Sequence, residues 1–265
     1  MPLLWQGDKG PMESITIKTE KEIEIMREGG RILAEILKEI ENNVKPGVST
    51  LELNNLAEKL IFSKKAQPAF KGFKGYPATL CVSINDEVVH GIPQEARIIK
   101  SGDLVSLDLG LKYKGFYTDA AISCGAGGTE ERVEKIIKIV KEALDLAISL
   151  VKPGVHLGDI EARIEEYVNK KGFYVVKEFC GHGIGRELHE EPQVLNFGTP
   201  GTGPLLKPGM TLCFEPMINE KNSWTKTLPD GWTVKTRDGG LSAHFEHTVL
   251  VTEKGREILT KISNS

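Results

Sequence analysis

Thiol groups are scarce in this chain of 265 residues: its four cysteines, Cys81, Cys124, Cys180 and Cys213, lie far apart and form no Cys-x-x-Cys pair. That spacing argues against a thiolate zinc site or a disulfide framework and fits a reducing cytoplasm, with the cysteines mostly acting as small buried hydrophobes. No apolar run approaches the ~20 residues a membrane helix needs. Residues 1–14 hold neither a long apolar core nor a small-residue cleavage site, so they read as a flexible leader rather than a signal peptide. An excess of one charge is also missing. With 34 Lys+Arg against 37 Asp+Glu the net charge is −3, which favours neither nucleic acid nor an anionic membrane as a partner. No Gly-x-Ser-x-Gly elbow points to a serine hydrolase. Gly181-x-Gly183-x-Gly185 is not a dinucleotide loop, because Pro192 arrives too soon for the helix such a loop needs.

What is present begins with helical periodicity. Ile25, Ile32, Leu33, Ile36, Leu37 and Ile40 form one stripe over Lys21–Asn42. A second helix is expected after Pro46-Gly47, capped by Ser49 or Thr50, and further helices over Glu130–Leu150 and from about Leu157 to Lys171. Thr79–Ile84, Leu104–Leu111 and Phe116–Ser123 read as strands. The two halves of the chain then match each other. Val44-Lys45-Pro46-Gly47-Val48 recurs 107 residues on as Val151-Lys152-Pro153-Gly154-Val155. Lys100-Ser101-Gly102, leading into Asp108, recurs at the same offset as Lys207-Pro208-Gly209, leading into Glu215. A Lys-Pro-Gly turn is common alone; two matches at one offset favour a duplicated α+β unit, in which Asp108 and Glu215 take equivalent places about a pseudo-twofold axis. One domain over 15–265 is expected, its halves spanning roughly 20–125 and 130–255.

The charged residues that stand inside apolar strands carry the chemistry. Asp108 ends Leu104-Val105-Ser106-Leu107, and Asp119 follows Gly115-Phe116-Tyr117-Thr118. With a turn at Lys112–Gly115, a simple hairpin would set the two aspartates directly opposite each other, Cβ atoms about 4.5–5.5 Å apart. Carboxylates that close repel and lose hydration, so either one is protonated or a cation lies between them. The second half adds His182 among glycines that let backbone approach closely, Glu215 in Leu212-Cys213-Phe214-Glu215-Pro216, and Glu246 in a strand-like run. Four acids and one imidazole can share two cations, and oxygen-dominated ligation with one histidine suits Mn²⁺, Fe²⁺, Co²⁺ or Zn²⁺. Paired metals about 3.5–4 Å apart activate a bridging water and polarise a carbonyl. Of the other histidines, His90 is as well explained by the core as by function, His156 reads as a turn or cap residue, and His244 and His247 read as supporting or exposed.

Val89-His90-Gly91-Ile92-Pro93, Asp108, Thr118-Asp119, Gly181-His182-Gly183-Ile184-Gly185, His189-Glu190-Glu191-Pro192, Lys207-Pro208-Gly209-Met210, Glu215-Pro216 and Glu246-His247-Thr248 together resemble type I methionine aminopeptidases, over nearly the whole chain after Ile15. The resemblance implies the α+β pita-bread fold, with pseudo-twofold halves around a central antiparallel sheet. It implies that Asp108, Asp119, His182, Glu215 and Glu246 ligate two divalent cations, Asp119 and Glu246 being shared. His90 would lie near the scissile amide, His189 would contact the substrate carbonyl, and Glu215 would take a proton from the metal-bound water. Phe73, Tyr76, Cys81 and Trp232 would line the methionine pocket. Phe70, Phe73 and Leu188 depart from the residues frequent in that family, which leaves the pocket apolar but alters its shape. The implied activity is removal of the N-terminal methionine from nascent polypeptides near the ribosome, with a small second residue preferred, by a cytoplasmic monomer. The 31 residues from Glu215 to Glu246 leave no room for the helical insertion of the type II enzymes. A proline dipeptidase would share the fold and the ligands but usually carries a further N-terminal domain; a non-catalytic module on the same scaffold would tend to lose ligands, and all five stand here.

Overall fold

Ser49 sets the start of a helix with its own side chain. Its hydroxyl accepts from Glu52 N at 3.2 Å, while the Glu52 carboxylate accepts from Ser49 N at 2.7 Å, a reciprocal cap on two otherwise unpaired donors. The same logic starts the longest helix, where Glu22 accepts from Thr19 N at 2.8 Å. The computed structural model describes residues 14–261. It has four α-helices, α1 (Glu20–Asn42), α2 (Thr50–Ser63), α3 (Glu131–Leu150) and α4 (Leu157–Lys170), which match the periodic segments to within a residue or two. The leader expected over residues 1–14 lies, but for Ser14, outside the described residues. None of these helices is long and apolar enough to cross a membrane.

The repeat is written into the backbone. The isolated bridge Ser49–Ile98 has its counterpart 107 residues on in His156–Leu205. Gly47 N donates to Ile99 O at 2.8 Å, and Gly154 N to Leu206 O at 2.9 Å. Each half buries its own core: Leu33, Ile36, Ile40, Leu53 and Ile61 from α1 and α2 pack on Val105, Leu107 and Leu109, and Ile136, Val140, Leu144, Ile160 and Ile164 from α3 and α4 pack on Leu212, Phe214 and Val249. At Gly30 in α1 an added Cβ would stand 2.3 Å from the carbonyl of Leu259, so only glycine lets that helix approach so closely.

A nine-stranded sheet joins the halves. Its order is Gln67–Pro68, Leu104–Tyr113, Phe116–Gly125, Glu246–Thr252, Thr211–Phe214, Gly181–Gly183 and Glu190–Val194; Cys81–Ile84 also pairs with Leu104–Tyr113, and Gly255–Ile258 with Glu246–Thr252. All pairs are antiparallel. The central strand, Glu246–Thr252, thus bridges a strand of the first half and a strand of the second. The Asp108 hairpin corrects one expectation. Its turn is the two-residue Lys114-Gly115, both at positive φ (46° and 93°), not the four residues from Lys112. That moves the register by two: Asp108 faces Ala121, and Asp119 faces Gly110, so the aspartates are diagonal neighbours on one face rather than directly opposed.

One buried acid of the second half makes stability depend on pH. Glu161 on α4 accepts from Leu195 N at 2.7 Å, and burial pushes its carboxyl up to about 7. Between its ordinary value and 7 the folded protein holds a proton that the unfolded chain has lost, so this contribution to stability falls as pH rises. Glu161→Gln keeps the acceptor and removes the ionisation. Urea titrations at pH 5 and pH 8 are expected to show a smaller loss of stability for the variant than for the wild type; an equal loss would contradict the assignment.

Candidate metal centre

Strand register aims a set of acids at one place. Cys81 faces Asp108, Asp108 faces Ala121, and Ala121 faces Glu246, one lateral row across four strands. Asp119 stands two residues before Ala121 and therefore on the same face. Phe214 faces His247, so Glu215 follows into place beside Glu246, and Cys213, two residues before Glu215, faces Thr248. The Glu246–Thr252 strand pairs with its first-half neighbour only at Glu246 and His247. At the next position the Thr248 hydroxyl takes over, accepting from Asp119 N at 3.0 Å and donating to Asp119 O at 2.8 Å. That clamp fixes the backbone from which Asp119 projects.

Carboxylate oxygens of Asp108, Asp119 and Glu246 lie within 4.8 Å of one another, and so do potential donor atoms of His182, Cys213 and Glu246. His182 Nε2 is 3.6 Å from Glu215 Oε1. The five residues singled out in the sequence are thus brought together, with Cys213 and Thr248 added. Strand alternation is the signal that could have found the two additions, since each lies two residues from an acid. The glycines about His182 do what their lack of a side chain permits: a Cβ at Gly181 would stand 2.1 Å from Cys213 O, and one at Gly183 would stand 2.3 Å from Glu191 O.

The electrostatics of this cluster are poor without a cation. Asp119, His182 and Glu246 are buried, and among the described residues no lysine or arginine pairs with any of the four acids. Burial, with the neighbouring acids adding to it, pushes Asp108, Glu215 and Glu246 well above the usual carboxylate range; burial alone lifts Asp119 to about 7. Asp108 Oδ1 and Glu246 Oε1 are buried with no hydrogen-bond partner. His182 Nδ1 donates to Gly183 O at 2.9 Å, and burial lowers the ring to about 4, so its bare Nε2 faces a carboxylate oxygen. Either Glu215 keeps a proton toward that nitrogen or a cation lies between the two, and a ligand set of this kind fits the cation.

Around the acids stands an aromatic wall. The Tyr76 and Trp232 rings meet edge to face at 5.1 Å, and the Tyr76 hydroxyl lies within hydrogen-bonding distance of the carbonyls of Leu80 and Gly91. Cys81 packs with Tyr76 and Ala78, and Phe70, Ile92 and Trp232 close over them. Phe73 meets the His189 ring at 5.1 Å, and His189 in turn lies 4.3 Å from His182. His90 adopts a positive φ of 59° and stands edge-on to Phe179 and Trp232. Burial lowers His90 to about 4 and His189 to about 2, so both rings are neutral. His156 is the N-cap residue of α4, as its position suggested. His244 is not exposed: its ring is buried, and its Nε2 points at Glu215 Oε2 from 3.8 Å.

One buried ion pair holds the loop that carries His189. Lys18 Nζ contacts Glu190 Oε2 at 2.5 Å, Thr16 bonds both, and the other Glu190 oxygen accepts from Arg186 N at 2.7 Å. The glycine at 185 makes room for it, since a Cβ there would strike Lys18 Cε at 2.4 Å.

Residues 24–253 match metallopeptidase family M24. Methionine aminopeptidase 1 of Bacillus subtilis (strain 168) is 45% identical over 248 residues, which cover 94% of this chain and all of that protein. The methionine aminopeptidase of Escherichia coli (strain K12) is 47% identical, covering 93% of this chain and 94% of that one. Among solved structures, methionine aminopeptidase from Thermotoga maritima is 46% identical with a TM-score of 0.92, covering 94% of this chain and 100% of that chain. The prolidase from Pyrococcus horikoshii OT3 is more distant, 26% identical with a TM-score of 0.74, and this chain spans 64% of it.

Proposed function

The chain belongs to metallopeptidase family M24 and, within it, to the methionine aminopeptidases; from that premise we propose that it removes N-terminal methionine from nascent polypeptides at the acid cluster and prefers a small second residue. The observation that carries this reading is the convergence of four buried or half-buried acids, none paired with a lysine or arginine among the described residues, and a neutral imidazole beside an apolar aromatic wall. Asp108, Asp119, His182, Glu215 and Glu246 would hold two divalent cations, Asp119 and Glu246 serving both. Bound there, such ions supply Lewis acidity and lower the pKa of a water lying between them.

The remaining work falls to the chain. The methionine side chain lies against Phe73, Tyr76, Cys81 and Trp232, which exclude water from one side of the reacting bond. His189, neutral and held by Phe73 and His182, donates to the carbonyl oxygen as charge develops on it. A Glu215 oxygen receives the proton released by the attacking water and passes it to the leaving amine, beside His90. Work on growing chains would set the enzyme in the cytoplasm, and likeness to the methionine aminopeptidases is what suggests a monomer.

Hydrolysis of Met-Ala-Ser is expected to stop after exhaustive chelation and to return with Mn²⁺ or Co²⁺, while an Xaa-Pro dipeptide stays intact throughout. Activity that survives chelation would overturn the metal role, and efficient cleavage of the Xaa-Pro dipeptide would favour the prolidase-like alternative. A panel of Met-Xaa-Ser peptides tests the second-residue preference.

A further inference from the structure

His244 has no part in the five-ligand set, yet it is built into the centre. It ends the Ser242–His244 strand, which pairs with Met217–Asn219. Its backbone is fixed twice by one hydroxyl: His244 N donates to Ser123 Oγ at 2.9 Å, and Ser123 Oγ donates to His244 O at 2.8 Å. Ser123 Oγ is in turn 2.7 Å from Ser106 Oγ. The ring is therefore carried on a rigid support that reaches into the first-half strands. It is 2% exposed, and its Nε2 is a buried polar atom without a hydrogen-bond partner.

That nitrogen points at Glu215 Oε2 across 3.8 Å. The other oxygen of the same carboxylate, Oε1, faces His182 Nε2 at 3.6 Å. The two imidazoles differ in what they can offer. His182 spends its Nδ1 proton on Gly183 O, so its Nε2 presents a lone pair. His244 can place its proton on Nε2 and donate. A buried donor left unmade is costly, and Glu215 Oε2 is the acceptor in front of it. Glu215 is also tied from behind, its carbonyl accepting from Asn196 Nδ2 at 3.2 Å, so its side-chain rotation is the remaining freedom.

We propose that His244 is a positioning residue for this centre: a small rotation of the Glu215 carboxylate closes the 3.8 Å gap, its Oε2 accepts from His244 Nε2–H, and that bond holds the carboxylate so that Oε1 faces the cation and His182. The inference rests on the reading of Glu215 as a metal ligand and proton carrier. Partners of this kind behind metal-ligating groups are worth about 10–100-fold in metal affinity or activity.

The test compares His244→Leu, which keeps bulk but has no donor, with His244→Gln, which keeps a donor. Mn²⁺ binding to the chelated proteins is measured by calorimetry, and kcat and KM are measured on Met-Ala-Ser; circular dichroism checks folding. The leucine variant is expected to bind its tighter Mn²⁺ about 10–100-fold more weakly and to lose kcat while KM changes little. The glutamine variant is expected to recover most of both. Wild-type Mn²⁺ binding and kcat in the leucine variant would overturn the inference, and so would a folded glutamine variant as impaired as leucine. Should the leucine variant fail to fold, the glutamine variant alone decides, by near-wild-type or lost Mn²⁺ affinity. A wild-type protein that binds no Mn²⁺ would instead remove the reading beneath it, and the inference with it.

Discussion

Glu246→Gln is expected to do two opposite things: to cut kcat/KM on Met-Ala-Ser by about a thousandfold or more, and to raise the melting temperature of the metal-free protein. Glu246 is 2% exposed and within 4.8 Å of both Asp108 and Asp119 at its carboxylate oxygens. Two like charges at that separation repel by about 4 kcal/mol at an intermediate effective dielectric, and uptake of protons relieves only part of this. An amide of the same shape takes away one charge and leaves no cavity. A net gain of about 1–2 kcal/mol corresponds to about 2–4 °C for a chain of this size. Calorimetric scans in chelator, then in excess Mn²⁺, measure it. Without metal the variant should melt higher; with Mn²⁺ the wild type should gain far more than the variant and overtake it. A variant that melts lower than the wild type in chelator would mean that the acids are not held against their own repulsion. Activity gained at the expense of stability is the pattern common to strained functional sites.

The second large effect is structural. Lys18→Met leaves Glu190 buried without its counter-charge and is expected to cost about 3–5 kcal/mol in urea unfolding. The side chains are 4% and 8% exposed, so water does not take the place of the ammonium group. Glu190 keeps its bond from Arg186 N, which softens but does not cancel the loss. The double variant Lys18→Met with Glu190→Gln should regain part of the stability, since no charge is then stranded. Equal stability of wild type and Lys18→Met would show that the pair contributes nothing. Because Glu190 adjoins His189, the single variant should also be a poorer enzyme than its folded fraction accounts for.

Much of this molecule is legible before its structure, for definable reasons. The helices are legible because their apolar residues recur at helical spacing and because caps such as Ser49–Glu52 are local. The acids are legible because charge inside an apolar strand is anomalous and needs a partner. What escapes a sequence reading depends on distant or orientational facts. Lys18 and Glu190 meet across 172 residues, and nothing about Lys18 in sequence marks it as buried. The hairpin register turns on a lysine, Lys114, accepting a left-handed conformation that its type does not favour. The burial of His244 is hidden because the strand breaks at Phe245, so the alternation that aims Glu246 does not carry across to the residue two before it. The pocket residues come from family likeness alone: Phe73 and Tyr76 sit in and just after a short 3-10 turn, where no periodicity exists to read.

The place of Glu246–Thr252 at the middle of the sheet has a consequence for biosynthesis. The strands on either side of it, Phe116–Gly125 and Thr211–Phe214, leave the ribosome well before it does. Until it arrives each presents an open hydrogen-bonding edge where the finished protein has none, and such edges invite pairing with other chains. This late strand also carries the acid at the heart of the centre, so a growing copy exposes those edges while it still has no catalytic power.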